Sequence, residues 1–160
     1  MSAAVTADET SPAPPAAPAH PVLVGYDRSR ASGRALAWAT GLARRTSRPL
    51  LVAYISPDPS RYDMGAGAGP FVFVADPEDD VLDWLRAELT DALKAATLAG
   101  VEVHVAGCVG DTARQLARLA DEHWAEALVL GAPEQRLHHL IGSVPAWMAR
   151  RAHCPVVVVP

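Results

Sequence analysis

The sequence predicts a single α/β domain built on an open, parallel, five-stranded sheet with helices on both faces. Short apolar runs alternate along the chain with segments whose apolar residues recur at helical spacing. Such alternation implies right-handed crossovers, which make the strands parallel and place helices over the sheet. The runs are apolar throughout, as expected for strands buried on both faces. The 160 residues suffice for one domain and are too few for two ordinary ones.

Five strands and four helices follow from this alternation. The predicted strands are 21–26, 49–55, 101–107, 127–131 and 154–159. The helices between these strands are marked by residues typical of helix ends: Ser29 or Ser32, Gly100, Asp111, and Ser143 with Pro145. The second helix is predicted from an apolar face that runs from Leu82 to Ala96. Each predicted helix carries one tryptophan that we interpret as a packing residue, namely Trp38, Trp84, Trp124 and Trp147.

Two segments are predicted to lie outside the sheet and its helices. Residues 1–20 are rich in Ala and Pro and lack the basic start and continuous apolar core of a secretory signal, so they predict a disordered tail. The domain then covers residues 21–160. Within it, residues 57–79 are rich in Gly, Pro and Asp and predict a long flexible loop.

Charge and composition argue against several classes of partner. The net charge is -4 and no long basic run is present, so nucleic-acid binding has no electrostatic support. No apolar run approaches the roughly 18 residues that a membrane span needs. The two cysteines, Cys108 and Cys154, are far apart in sequence and predict buried free thiols, which favours a reducing, cytoplasmic compartment.

The candidate site lies at the carboxyl ends of the strands, where open α/β sheets bind ligands. Asp27 follows the first strand and Gly131 ends the fourth. From Gly131 the chain passes through an irregular loop to Gly142-Ser143 and then into a helix, an arrangement typical of phosphate cradles. If the first and fourth strands are neighbours, both turns face one cleft. Asp27 is equally consistent with a residue that only starts the turn into the first helix.

Three stretches of the chain resemble the universal stress protein family: "VLVGYDRSRASGRALAWATGLA", "GDTARQLARLADEHWAEALVLG" and "GSVPAWMARRAHCPVVVVP". The resemblance covers about residues 21–160. It implies a Rossmann-like sheet with strand order 3-2-1-4-5, which makes the first and fourth strands adjacent. It also implies a homodimer in which the final strands meet, and this would explain the apolar run Val156–Val159 at the end of the chain.

The resemblance also implies a set of nucleotide-contacting residues. Members of the family that bind ATP carry G-x-x-G, nine residues, and then G-[ST]. Carried over position by position, Asp27 and Ile55 would flank adenine and ribose. The residues that would face ribose and phosphates are Gly131, Gly142, Ser143 and Val144.

This sequence departs from the ATP-binding pattern in its loop. Glu134 stands at the second glycine position, and the stretch from there to Gly142 is two residues shorter than in the pattern. Pro133 removes a backbone donor. A hydrogen bond to a charged group is worth roughly 1.5–3 kcal/mol, and a carboxylate near a phosphate is repelled by roughly 1–4 kcal/mol. We therefore predict that ATP binding is possible but weakened about a hundredfold or more.

Catalysis and metal binding have little support in the sequence. It has no G-x-S-x-G elbow and no G-x-x-x-x-G-K-[ST] loop, so we expect no enzyme. His138 and His139 are adjacent and cannot ligate one metal as an i, i+4 pair would.

The leading hypothesis is a non-catalytic, dimeric binding or scaffold protein of the stress response with an altered nucleotide site. The alternative is an adenine-nucleotide-binding stress sensor. A second alternative is a small-molecule hydrolase or transferase that uses Asp27 and the histidines.

Overall fold

The structure of the chain is a computed structural model that describes residues 20–56, 87, 89–133 and 143–160. The predicted tail before His20 and the predicted loop 57–79 lie outside these residues. Most of the loop between Gly131 and Ser143 does so too.

Five parallel strands form one sheet, as the sequence predicts. The strands are β1 (Val22–Tyr26), β2 (Leu50–Ser56), β3 (Val103–Val109), β4 (Ala127–Gly131) and β5 (Val156–Val159). Their spatial order is β3-β2-β1-β4-β5, and every neighbouring pair is parallel. The expected order is therefore confirmed, with β1 at the centre and β5 at one edge.

The described helices cover both faces of this sheet. They are α1 (Arg30–Thr46), α2 (Thr90–Leu98), α3 (Thr112–Glu122) and α4 (Val144–Arg151). Buried alanines of α1 and α2 form one core with the side chains of one sheet face, among them Val24 and Val52. Leu116 of α3 and Met148 of α4 form a second core with the opposite face, around Leu23 and Leu128. Because each strand sends alternate side chains into the two cores, the apolar runs of the sequence are explained.

The helix ends agree with the polar residues that precede them. Ser29, rather than Ser32, caps α1, and its hydroxyl oxygen accepts the Ser32 N–H at 3.0 Å. Asp111 caps α3 by accepting the Arg114 N–H at 2.9 Å. Gly100 follows α2 with φ of 77°, the left-handed conformation that ends many helices. The start of the second helix predicted from Leu82 lies outside the described residues.

The third strand begins two residues later than its apolar pattern predicts. Val101 still belongs to the turn that ends α2, because its N–H donates to the carbonyl of Ala96 at 3.0 Å. Val101 is nevertheless buried at 4 % exposure, and this is why it reads as strand in the sequence. Pairing with β2 starts only at Val103 and continues to Val109.

Trp124 is neither helical nor a packing residue, so the interpretation of this tryptophan was wrong. The chain leaves α3 at Glu122, and Trp124 adopts a left-handed conformation with φ of 51°. This turn lets the N–H of Ala125 reach the carbonyl of Ala120 at 2.8 Å and buries Ala125 in place of the indole. The Trp124 side chain is left 75 % exposed. Trp84 lies outside the described residues.

Both cysteines are free thiols that contact the α3–α4 core, Cys108 buried and Cys154 partly buried. Burial raises the pKa of each thiol above its usual value, so neither resembles an activated nucleophile. Among the helices of the described ranges, none has the length and apolar character needed to cross a bilayer.

Candidate functional site

The carboxyl edge of the sheet brings three of the predicted site residues to one level. Val24 of β1 pairs with Val129 of β4, and Tyr26 of β1 pairs with Tyr54 of β2. Counting forward along each strand, Asp27 lies level with Ile55 on one side and one residue beyond Gly131 on the other. Neighbouring strands lie about 4.8 Å apart, so the three residues line one stretch of the edge. The ends of β1 and β4, from which the two predicted turns start, therefore lie side by side.

Asp27 is fixed by the turn that leads into α1. One of its carboxylate oxygens accepts the N–H of Ser29 at 3.0 Å, and its own N–H donates to the hydroxyl of Ser32 at 3.4 Å. That hydroxyl donates in turn to the carbonyl of Ser29 at 3.0 Å. Asp27 therefore starts the turn, as the simpler interpretation holds. Its side chain is also exposed at the carboxyl edge of the sheet.

The carboxyl of Asp27 is ionised at neutral pH. Partial burial acts to raise its pKa, but hydrogen bonds from Ser29 and Ser32 outweigh that effect and hold the pKa below its usual value. An ionised carboxylate only accepts hydrogen bonds. Its natural partners are therefore donors such as ribose hydroxyls or the amino group of adenine.

Gly131 is held against the first turn of α1. A Cβ at this position would lie 2.6 Å from the carbonyl carbon of Ala31 and 2.7 Å from the nitrogen of Ser32. Both atoms belong to the backbone and cannot rotate away, so only glycine fits without a shift of the chain. The close packing of β4 on α1 thus accounts for Gly131, whether or not a phosphate lies near it.

Ser143 and Val144 stand at the start of α4, on the same edge of the sheet. The crossover from β4 to β5 begins at the carboxyl edge, so the N-terminus of α4 lies there as well. The Ser143 hydroxyl accepts the N–H of Ala146 at 3.4 Å, and Val144 packs against the α3–α4 core. Pro133 is exposed at the start of the loop. Glu134 and Gly142 lie outside the described residues.

Ile55 is close to the edge, but its side chain is committed to the core. It is only 8 % exposed and packs in the same cluster as Cys108 and Leu116. A ligand at this edge would therefore contact mainly the backbone at the end of β2, with little of the isoleucine side chain.

Two buried polar residues support the edge: Ser32, which the sequence offered only as a helix cap, and Gln115, which it did not single out. Ser32 is 2 % exposed and joins Asp27 to α1. Gln115 is 5 % exposed, and its side-chain amide donates to the carbonyl of Val109 at 3.1 Å, which secures the turn after β3. The spacing of Ser32 from Ser29 could have indicated that it belongs to the turn before α1. A glutamine on an amphipathic helix carries no comparable indication.

A metal centre finds no support in the described ranges, where His, Cys, Asp and Glu side chains form no group of three suited to hold an ion. His104 contacts Glu102 at 2.8 Å and His153 contacts Asp121 at 3.1 Å, both as separate pairs near the surface. His138 and His139 lie outside the described residues.

Comparison with known proteins identifies relatives of this fold. The family model described as "Universal stress protein family" matches residues 18–160. A solved universal stress protein in complex with cAMP is 28 % identical, with a TM-score of 0.64 over 90 % of this chain and 99 % of the other. The protein Rv1636 from Mycobacterium tuberculosis H37Rv is also 28 % identical, with a TM-score of 0.52 over 90 % and 97 %.

A universal stress protein from Archaeoglobus fulgidus in complex with dAMP has the same fold at 23 % identity. Its TM-score is 0.60 over 88 % of this chain and 97 % of the other. No curated protein matches the chain.

Proposed function

Because the chain belongs to the universal stress protein family, we propose that it acts in the stress response as a non-catalytic, dimeric binding protein with an altered nucleotide site. The observation that carries the proposal is the ionised carboxylate of Asp27, fixed at the carboxyl edge between the ends of β2 and β4. This position suits an acceptor for a ribose or an adenine.

An acceptor suited to adenosine and a helix start suited to a phosphate are both present at this edge. Asp27 supplies a charged acceptor, and Ser143 keeps its place at the N-terminus of α4, where backbone N–H groups favour an anion. The relative in complex with cAMP, at 28 % identity, supports an adenine nucleotide as the ligand class.

The triphosphate end is altered by Pro133 and Glu134. Proline offers no N–H to a phosphate, and a carboxylate about 4 Å from a phosphate charge costs roughly 1–4 kcal/mol, depending on the dielectric. Both effects grow in importance with the number of phosphate charges on the ligand. Nucleotides with a single phosphate charge are therefore expected to bind more tightly than ATP.

An adenine-nucleotide sensor is the second candidate, and a specific hydrogen bond favours it. The N–H of Ala132, the first residue after β4, donates to the carbonyl of Val159 at 2.7 Å. The first residue of the predicted nucleotide loop is thus hydrogen-bonded directly to the edge strand β5. A ligand that moves this loop would move β5 with it.

Calorimetric titration of nucleotide-free protein with ATP and Mg²⁺, and separately with cAMP and AMP, tests these alternatives. Millimolar or absent ATP binding supports the scaffold, and micromolar binding supports the sensor. Phosphate release above a trace rate would instead favour a hydrolase or transferase.

Replacement of Glu134 by glycine is expected to strengthen ATP binding by at least about fivefold, since removing a repulsion of roughly 1 kcal/mol or more changes affinity by that factor. Calorimetry with ATP and with uncharged adenosine measures the effect, and adenosine affinity should change little. An unchanged affinity for ATP would mean that this carboxylate does not face the phosphates.

The proposed dimer forms through the free edge of β5. The carbonyls of Pro155 and Val159 accept N–H groups of Leu128 and Ala132 from the β4 side, at 2.9 and 2.7 Å. The N–H and C=O groups of successive residues in a strand point to opposite sides. The groups of Val156 and Val158 therefore point away from β4. In the described sheet no strand lies beyond this edge of β5. Such an apolar edge is suited to strand addition, and antiparallel pairing with a second copy centred on Val157 would use both residues.

Introducing lysine at Val158 is expected to weaken this dimer at least tenfold, because two copies place the new charges close together in an apolar interface. Val158 is 43 % exposed, so the free chain accommodates the change. Sedimentation velocity over a concentration series measures it. Leu98→Lys, on an 89 % exposed side chain of α2, is the matched control and should associate like the wild type. Equal association of all three proteins would argue against pairing through β5.

A further inference from the structure

Trp38 is a large apolar side chain on α1 that its own chain leaves partly uncovered. Its neighbours Leu36 and Ala39 are 4 % and 0 % exposed, whereas Trp38 is 38 % exposed. The indole therefore lies at the border between the buried stripe of the helix and solvent. Burying the rest of an indole is strongly favourable, and tryptophan is enriched at protein interfaces for this reason.

A hydrogen bond of Arg34 shows which border of α1 this is. The Nε of Arg34 donates to the carbonyl of Pro160, just beyond β5, at 2.6 Å. Residues four apart on a helix lie on the same face, so Trp38 is on the flank of α1 that points toward the β5 edge. α1 packs on β4 and β5 as well as on β1, which places this flank above the outermost strand.

The position of Trp38 along the strand direction can be worked out from the rise per residue of a helix and of a strand. α1 runs from the carboxyl edge toward the amino edge, antiparallel to the strands. Four helical residues rise about 6 Å, which equals about two residues of strand. Trp38 thus lies about two strand residues below Pro160, level with Val158.

The same face of β5 already belongs to the core under α1. Val157 and Val159 pack against the cluster that contains Ala35 and Ala39. A strand added beside β5 would continue this face outward and pass beneath the exposed part of the indole. Gly41, three residues after Trp38, has no side chain, so the helix surface beside the indole leaves room for a neighbouring chain. A Cβ at Gly41 would contact only the far end of the Arg45 side chain.

We propose that Trp38 is a second contact of the homodimer, covering the partner's copy of β5 on the α1 face of the joined sheet. The inference rests on the proposed dimer through β5 and adds to it a side chain outside the strand. A second copy of this chain is the occupant that fits, because its β5 is apolar and forms the edge of the sheet that the described residues build. Twofold symmetry then places two indoles on the same face, one from each protomer.

Sedimentation velocity of the wild type, Trp38→Ala and Trp124→Ala tests the proposal. Trp124→Ala is the matched control, since this tryptophan is 75 % exposed and lies near the amino edge, where Glu126 bonds to Pro21. We expect Trp38→Ala to raise the dimer dissociation constant by about tenfold or more. Trp124→Ala should leave it unchanged. Circular dichroism of each variant checks that it is folded.

The outcomes separate the two proposals. A wild type that stays monomeric at all concentrations overturns the dimer and this inference together. A wild-type dimer whose dissociation constant is unaltered by Trp38→Ala overturns this inference alone. Should Trp38→Ala fail to fold, Trp38→Arg takes its place, because a partly exposed site tolerates arginine while its charge opposes the contact. Wild-type association of a folded Trp38→Arg protein would overturn the inference equally.

Discussion

Asp27→Asn is expected to lower the affinity for adenine nucleotides by about tenfold to a hundredfold, with little change in the free energy of unfolding. A hydrogen bond to a charged group is worth roughly 1.5–3 kcal/mol, which corresponds to that range. Asparagine keeps a side-chain oxygen that accepts the N–H of Ser29, so the turn into α1 is retained. Only the negative charge and one acceptor are lost. The substitution thus separates the role of Asp27 in the turn from its proposed role toward a ligand.

Calorimetry with cAMP or AMP measures the affinity, and urea unfolding measures the stability. Asp121→Asn is a matched control, because this exposed aspartate lies at the end of α3 away from the cleft and contacts His153. It should bind nucleotide like the wild type. If Asp27→Asn also binds like the wild type, Asp27 serves only the turn. A bound nucleotide then contacts other residues.

Gly131→Ala is expected to destabilise the fold by about 1–3 kcal/mol or more, the usual range for overpacking. The new methyl group would stand 2.6 Å and 2.7 Å from backbone atoms of Ala31 and Ser32, so β4 and α1 would have to move apart. Because Ser32 also contacts Asp27, the shift should reach the cleft and weaken nucleotide binding as well. Urea unfolding and calorimetry measure the two effects.

Gly33→Ala is the control for this substitution, since it makes the same chemical change on α1. A Cβ at Gly33 has no atom within 4 Å outside the backbone of its own helix, and the residue lies inside that helix. We expect it to stabilise the protein by about 0.5–1 kcal/mol, the usual gain from replacing a helical glycine. Equal stability of Gly131→Ala and the wild type would show that the close approach is not required, and that Gly131 serves another purpose.

The central part of the fold was predictable because each strand is buried on both faces. An apolar run such as Val22–Val24 is typical of a strand covered on both faces, and the strand order followed from the family resemblance. The adjacency of β1 and β4, on which the site depends, came with that order. The helix caps followed from the hydrogen-bonding capacity of Ser29, Asp111 and Ser143.

Other features depend on packing that a sequence pattern does not carry. Gly131 reads as part of a phosphate loop, whereas the structure relates it to the backbone of α1, because a close approach between elements leaves no trace in local spacing. Trp124 reads as core because tryptophan is mostly apolar, yet the left-handed turn after α3 buries Ala125 instead. The roles toward a ligand stay predictions for all six site residues, namely Asp27, Ile55, Gly131, Gly142, Ser143 and Val144.

In the proposed dimer, the hydrogen bond from Ala132 to Val159 would connect the nucleotide loop with the subunit interface. Linkage is reciprocal: if ligand occupancy alters self-association by some factor, self-association alters ligand affinity by the same factor. The half-saturation point for nucleotide would then shift with the number of copies in the cell. A rise in expression alone would change the fraction of the protein that carries nucleotide, with no change in the nucleotide concentration.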